Sequence, residues 1–259
     1  CAEPETLVEA LMERGPHVED VEIVHMMTMG SAPYVAPEMA GHFRHNAVFI
    51  GGNVRDAIND GRADYTPIYL SEIEELFTSG AMPIDVALLE LSPPDSHGFC
   101  SFGVGVDTSL TAAQCARYVV AQINDQMPRT YGDSFIHVNK IDAIVESSRP
   151  LCTAKKAEIT ELHTAIARNV AGLIEDGAVL QTGIGGIPDA VLPFLMDRKD
   201  LGIHSELVSD GVIPLIEKGI INGARKNFKP RKIIVGFVIG SKKVFDFVDD
   251  NPIFELHPT

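Results

Sequence analysis

The chain has 259 residues, room for one large or two ordinary domains, and its 45% hydrophobic and 22% charged content is ordinary for a globular protein. A formal net charge of −15 argues against partners with dense negative charge, nucleic acid and anionic membrane surfaces alike. No run of eighteen apolar residues is present to span a membrane, no secretory signal is visible, and Cys1, Cys100, Cys115 and Cys152 are scattered with no CxxC pair and no metal-like spacing to histidine, so reduced thiols, a cytoplasmic location and no metal are expected.

In chain order the pattern alternates β and α. Val21–Met26, Ala47–Ile50, Tyr65–Leu70 and Asp85–Ser92 are expected strands, the last a near-continuous apolar run of the kind found in buried parallel strands. Ser71-Glu72-Ile73-Glu74 has the form of a capping box, with Ser71 serving the third helical amide and Glu74 reaching back. Ser92–Gly98 is a turn-rich loop at a strand end, a position that lines the ligand crevice in open α/β sheets, although most such loops only connect. Gly103-Val104-Gly105-Val106-Asp107-Thr108 reads as a loop. Tyr118–Ile123 and Asp142–Glu146 continue the strand set. Residues 147–158, with Pro150 and Lys155-Lys156, read as a linker, which predicts domains at 1–150 and 151–259.

A second unit follows. Residues 160–176 predict a helix with Leu162, Ala165, Ile166, Val170, Leu173 and Ile174 facing the core and Gly177 ending it. Ala178–Gln181 is a short strand, and after a glycine turn comes a helix with Pro188 in its first turn and Ile187, Ala190, Val191, Phe194 and Leu195 as one apolar stripe. Lys232–Ile239 predicts a further buried strand, and Ser241 caps a last helix to about Asp249. No solenoid-type repeat is present. The expected fold class is α/β, as two tandem open-sheet units.

The glycine turn Gly183-Ile184-Gly185-Gly186-Ile187 meets three conditions for anion chemistry. Glycines permit positive φ and close approach of a ligand, amides in a first helical turn have no intrahelical acceptor, and the helix dipole favours negative charge there. The same turn also fits plain strand-to-helix packing, and it lacks the third glycine of a dinucleotide fingerprint. Glu206 is one of 36 acidic residues and by itself reads as a solvated charge. Its neighbours Ile203, Leu207 and Val208 imply partial burial and a raised pKa. His204 reads as structural or solvent-facing, and Asp210-Gly211 as a turn.

Five ordered segments together resemble the acetyl-CoA hydrolase/transferase family: Ser92-Pro-Pro-Asp-Ser-His-Gly-Phe-Cys, Ile123-Asn-Asp-Gln-Met-Pro, Tyr131-Gly-Asp-Ser-Phe-Ile-His-Val, Gly183-Ile-Gly-Gly-Ile-Pro-Asp-Ala-Val and Gly202-Ile-His-Ser-Glu-Leu-Val-Ser-Asp-Gly. The resemblance runs from near Cys1 to Thr259. It implies two α/β domains of the CoA-transferase type, Glu206 as nucleophile, and Gly183, Ile184, Gly185, Gly186 and Ile187 as the turn that contacts coenzyme A and stabilises an oxyanion. The implied activity moves CoA between a short-chain acyl-CoA and a free carboxylate (4-hydroxybutyrate, butyrate or acetate), with ping-pong kinetics through a glutamyl-CoA thioester, in a homo-oligomer. An acetyl-CoA hydrolase is the alternative if water reaches the acyl-enzyme, and a non-catalytic CoA-binding module if Glu206 is incidental. Family members start about one βα element earlier and continue past Thr259 through a second glycine-rich segment. The second domain is therefore expected to be incomplete, the chain to be a portion of a longer protein, and the isolated piece to be inactive.

Overall fold

Two sheets organise the first part of the chain in the computed structural model, which describes residues 2–259. Val86–Leu91, Tyr118–Asn124 and Ala143–Ser147 run parallel, with Tyr118–Asn124 in the middle. They match the expected strands to within a residue or two; Tyr118–Asn124 and Val86–Leu91 are largely buried, where a continuous apolar run needs no alternation, and Ala143–Ser147 is an exposed edge strand. Val21–His25, Phe43–Ala47 and Asp64–Tyr65 form a second parallel sheet. Here two expectations shift. The strand sought at Ala47–Ile50 lies at Phe43–Ala47, where buried Phe43, His45 and Ala47 alternate with more exposed Arg44 and Asn46, the period-2 pattern of a half-buried strand. The Tyr65–Leu70 strand shrinks to Asp64–Tyr65, because Pro67 has no N–H to continue a ladder. The capping box also moves: Glu72, not Glu74, accepts the Tyr69 amide at 3.3 Å, and the helix is Ile73–Thr78.

The long helix of the second part is Glu161–Ala171, five residues shorter at its end than predicted. Thr160 caps it, its hydroxyl accepting the His163 amide at 3.2 Å. Gly177, at φ +81°, belongs to a later turn. The Arg198 guanidinium donates to the carbonyls of Ala171 and Ile174 at 3.0 and 2.7 Å, satisfying acceptors left over where the helix stops. The predicted core stripe is rotated away from the core. Ala167 and Ala171 are buried, whereas Leu162 and Leu173 are 68% and 83% exposed. Ala167 and Ala171 belong to the same buried cluster as Ala190 and Val191 of the neighbouring Gly186–Val191 helix.

The predicted Lys232–Ile239 strand is two strands, Ile233–Val235 and Phe237–Val238, in different sheets. Gly236 separates them. Phe237–Val238 pairs parallel with Leu207–Val208, while Ile233–Val235 pairs with Phe254–Leu256. Phe254–Leu256 in turn pairs with Tyr131–Gly132, so chain from both sides of residue 150 shares one sheet. A continuous buried cluster runs from Ala87 to Leu256. Residues 148–160 carry neither helix nor strand. Among the described residues no helix is long and apolar enough to cross a membrane.

Candidate active site

The strands Val179–Leu180 and Gly202–Ile203 lie side by side in parallel, and the His204 amide donates to the Leu180 carbonyl at 3.1 Å. Two loops therefore leave the same sheet edge together: the glycine turn and the segment bearing Glu206. Ser205 and Thr182 stitch them. The Thr182 amide donates to Ser205 Oγ at 2.9 Å, Ser205 Oγ donates to the Thr182 carbonyl at 2.9 Å, and Thr182 Oγ1 donates to the Leu207 carbonyl at 3.1 Å. These bonds hold the turn against the residues on either side of Glu206. Neither Thr182 nor Ser205 stands out in the sequence, since a hydroxyl pair 23 residues apart has no local signature.

The turn itself is open to solvent. Gly185 has φ +116°, a conformation that effectively demands glycine, and it caps the helix Gly186–Val191. Gly186 touches the helix beginning at Glu161, where an added Cβ would lie 2.7 Å from the His163 ring. Among the described residues the amides of Gly183, Ile184, Gly185, Gly186 and Ile187 donate to no protein acceptor. Ile187, expected in the core stripe, is instead 40% exposed, and Ile184 beside it 49%, while Ala190, Val191 and Leu195 are buried as expected. Free amides and two apolar side chains on one turn suit a ligand that carries both an anionic group and an apolar arm, as coenzyme A does.

Glu206 is half-buried, and among the described residues its carboxylate makes no hydrogen bond. Burial, then the nearby charge of Asp107, raises its pKa above the ordinary glutamate value. Asp107 arrives on the loop Gly103–Thr108, which the sequence marked only as a connection. That loop lies along Phe237–Val238: Gly105 bridges Phe237, and the Val238 amide donates to the Val104 carbonyl at 2.8 Å. On the other side of the nucleophile candidate, Leu207, Phe237 and Ile239 form an apolar cluster with Met26, Met27 and Ala154. His204 is exposed and stacks on Phe228. Two surface cavities of about 390 and 310 Å³ lie elsewhere, and neither is lined by Glu206 or the glycine turn.

Parallel α/β sheets with this arrangement at their edge make a fold of the CoA-transferase type. The solved structure of 4-hydroxybutyrate CoA-transferase from Porphyromonas gingivalis superposes with a TM-score of 0.87 at 40% identity, covering 99% of this chain and 61% of that one. The acetyl-CoA hydrolase/transferase N-terminal domain profile matches residues 1–153, and the chain belongs to that family. It is 51% identical over 255 residues to the 4-hydroxybutyrate coenzyme A transferase of Clostridium kluyveri, covering 98% of this chain and 59% of the relative. It is 45% identical over 259 residues to the succinyl-CoA:acetate/propanoyl-CoA:succinate CoA transferase of Fasciola hepatica, covering 99% of this chain and 54% of the relative. The chain thus spans little more than half the length of these relatives.

Proposed function

We propose that this chain carries the nucleophile and one anion-binding turn of a CoA-transferase that moves CoA between a short-chain acyl-CoA and a free carboxylate such as 4-hydroxybutyrate, butyrate or acetate. The observation that carries this reading is the Thr182–Ser205 stitch, which ties the segment bearing a carboxylate without hydrogen bonds to a turn whose five amides have no protein acceptor among the described residues. The CoA transferase activities that the relatives are named for agree with it.

In this reading Glu206 Oε attacks the thioester carbon, the C–S bond breaks, and CoA departs as thiolate, leaving an acyl-glutamyl anhydride. The thiolate attacks the glutamyl carbonyl, the anhydride C–O bond breaks, and the free acid leaves as carboxylate. Glu206 is now a CoA thioester, and an incoming carboxylate reverses both steps with ping-pong kinetics. Each tetrahedral intermediate bears an oxyanion, for which amides of the Gly185–Ile187 turn are the proposed donors, each such donor supplying about 3–4 kcal/mol. The reading includes a division into units 1–150 and 151–259, a cytoplasmic setting and a homo-oligomer.

The test is direct. The native protein, incubated with acyl-CoA and no acceptor acid, should add the mass of CoA to the peptide containing Glu206, and Glu206→Ala should lose transfer while keeping its circular dichroism spectrum. Undiminished exchange by that variant would refute the mechanism. Free acid released equally with and without added carboxylate would instead identify a hydrolase.

A further inference from the structure

Asp107 and Glu206 meet at a single residue, Gly236. The Gly236 amide donates to the Glu206 carbonyl at 2.8 Å, and the Gly236 carbonyl accepts from the Val106 and Asp107 amides, both at 3.2 Å. A Cβ at Gly236 would stand 3.2 Å from the Glu206 carbonyl oxygen, so the close approach of the two backbones depends on glycine there. We infer that Asp107 is a positioning residue for charge: its carboxylate, held by Thr108 and Ser109 on a backbone tied to that of Glu206 through Gly236, destabilises the ionised nucleophile and thereby favours the neutral acyl- and CoA-loaded states of Glu206.

The two carboxylates differ in their surroundings, and that difference sets their roles. Asp107 Oδ1 accepts from the amides and hydroxyls of both Thr108 and Ser109, at the start of the Ser109–Cys115 helix. Burial pushes the Asp107 pKa up and these donors pull it back. Glu206 has no such donors, so the burial and the neighbouring charge that raise its pKa are not offset by hydrogen bonds as burial is at Asp107. Among the described residues, these other titratable groups around the site are engaged elsewhere or solvated. Asp189 accepts from Ser209 and Asp210 from Ser241; His257 binds Asp133 and Glu255; His204 stacks on Phe228; Lys155 and Lys156 are exposed.

The consequence follows from charge conservation. Glu206 enters the half-reaction as an anion and ends it as a neutral thioester, the negative charge leaving with the released carboxylate. Repulsion from Asp107 is present before the step and gone after it, so it raises the equilibrium fraction of loaded enzyme and the basicity of the attacking oxygen. This inference rests on Glu206 being the nucleophile.

The test is Asp107→Asn, which keeps an acceptor for the helix start and removes the charge; Asp107→Ser does the same with a hydroxyl if the amide variant folds poorly. In the native protein supplied with a fixed ratio of butyryl-CoA to butyrate, the variant should carry about three- to tenfold less Glu206 thioester relative to free Glu206. The acid limb of its kcat/KM profile should move to lower pH, with unfolding midpoints unchanged, and Asp107→Glu should restore both. A folded neutral variant with unchanged loading and an unchanged acid limb would overturn the proposal. Absence of any adduct on Glu206 in the unaltered protein would reject the nucleophile itself, and the role of Asp107 with it, and is distinguished by needing no variant.

Discussion

A carboxylate's role is written in what surrounds it, and three of them in this chain have quite different surroundings. Asp107 accepts from the amides and hydroxyls of Thr108 and Ser109 on one oxygen, Glu206 has no donor among the described residues, and Glu90 is a buried acid inside a sheet. Glu90 is 5% exposed, and burial pushes its pKa up to about 7, only partly opposed by the side-chain amides of Asn124 and Gln122 at 2.8 and 2.9 Å. Because the folded value lies above the unfolded one, the fold favours the protonated form. That contribution is complete below the ordinary value of 4.5 and is lost as pH rises through about 7. Glu90→Gln keeps the acceptor oxygen and removes the charge. It should be more stable than the unaltered protein at pH near 8, by on the order of 3 kcal/mol, with the difference vanishing near pH 4 to 5. Urea unfolding at a series of pH values checks both ends of that window.

At the scale of elements, the glycine turn and the helix it starts form one device. Gly185 at φ +116° sets the exit from the strand, and the first helical turn presents amides outward. Gly185→Val adds a branched Cβ at a backbone angle that such residues resist, and Ile187→Pro deletes one of the exposed amides. Either should lower kcat by about a hundredfold or more, as loss of an oxyanion donor does. Steady-state kinetics alongside thermal unfolding separates this from collapse of the fold: low activity of the folded protein supports the turn's role, and normal activity in a smaller folded fraction contradicts it. The neighbouring helix Glu161–Ala171 shows a different relation between pattern and packing. Its Leu162 and the following Leu173 face water while Ala167 and Ala171 are buried.

For the whole molecule, the tie across residue 150 is the sheet formed by Ile233–Val235, Phe254–Leu256 and Tyr131–Gly132. Gly132, at φ +99°, sits where an added Cβ would run into the carbonyl and amide of Leu256. Gly132→Val should therefore pry the two parts of the chain apart and cost about 3–4 kcal/mol, read as a lower denaturant midpoint. An unchanged midpoint would mean that this junction yields without consequence for the fold. The same junction carries Asp249 and Asp250, whose side chain and amide bond to Arg129, so the coupling between the two parts does not depend on apolar contact alone.

The amino-acid sequence alone determined the strands Val86–Leu91 and Tyr118–Asn124, the Ser241 cap and the family, the last because five motifs in a fixed order are specific even where each is weak. Those features are local, so they survive without knowledge of neighbours. The Phe43–Ala47 strand was also local but was written in alternation rather than in a run. What only the tertiary structure decided is non-local. Which face of the 161–171 helix is buried depends on what approaches it; the break at Gly236 depends on Glu206 bonding its amide while Val106 and Asp107 bond its carbonyl; and the stitch between Thr182 and Ser205 joins residues with no pattern in common. Glu206 stood out from 36 acidic residues through family resemblance, but its lack of hydrogen bonds and its charged neighbour arise only when residues 103–108, 205–207 and 236 fold to one place.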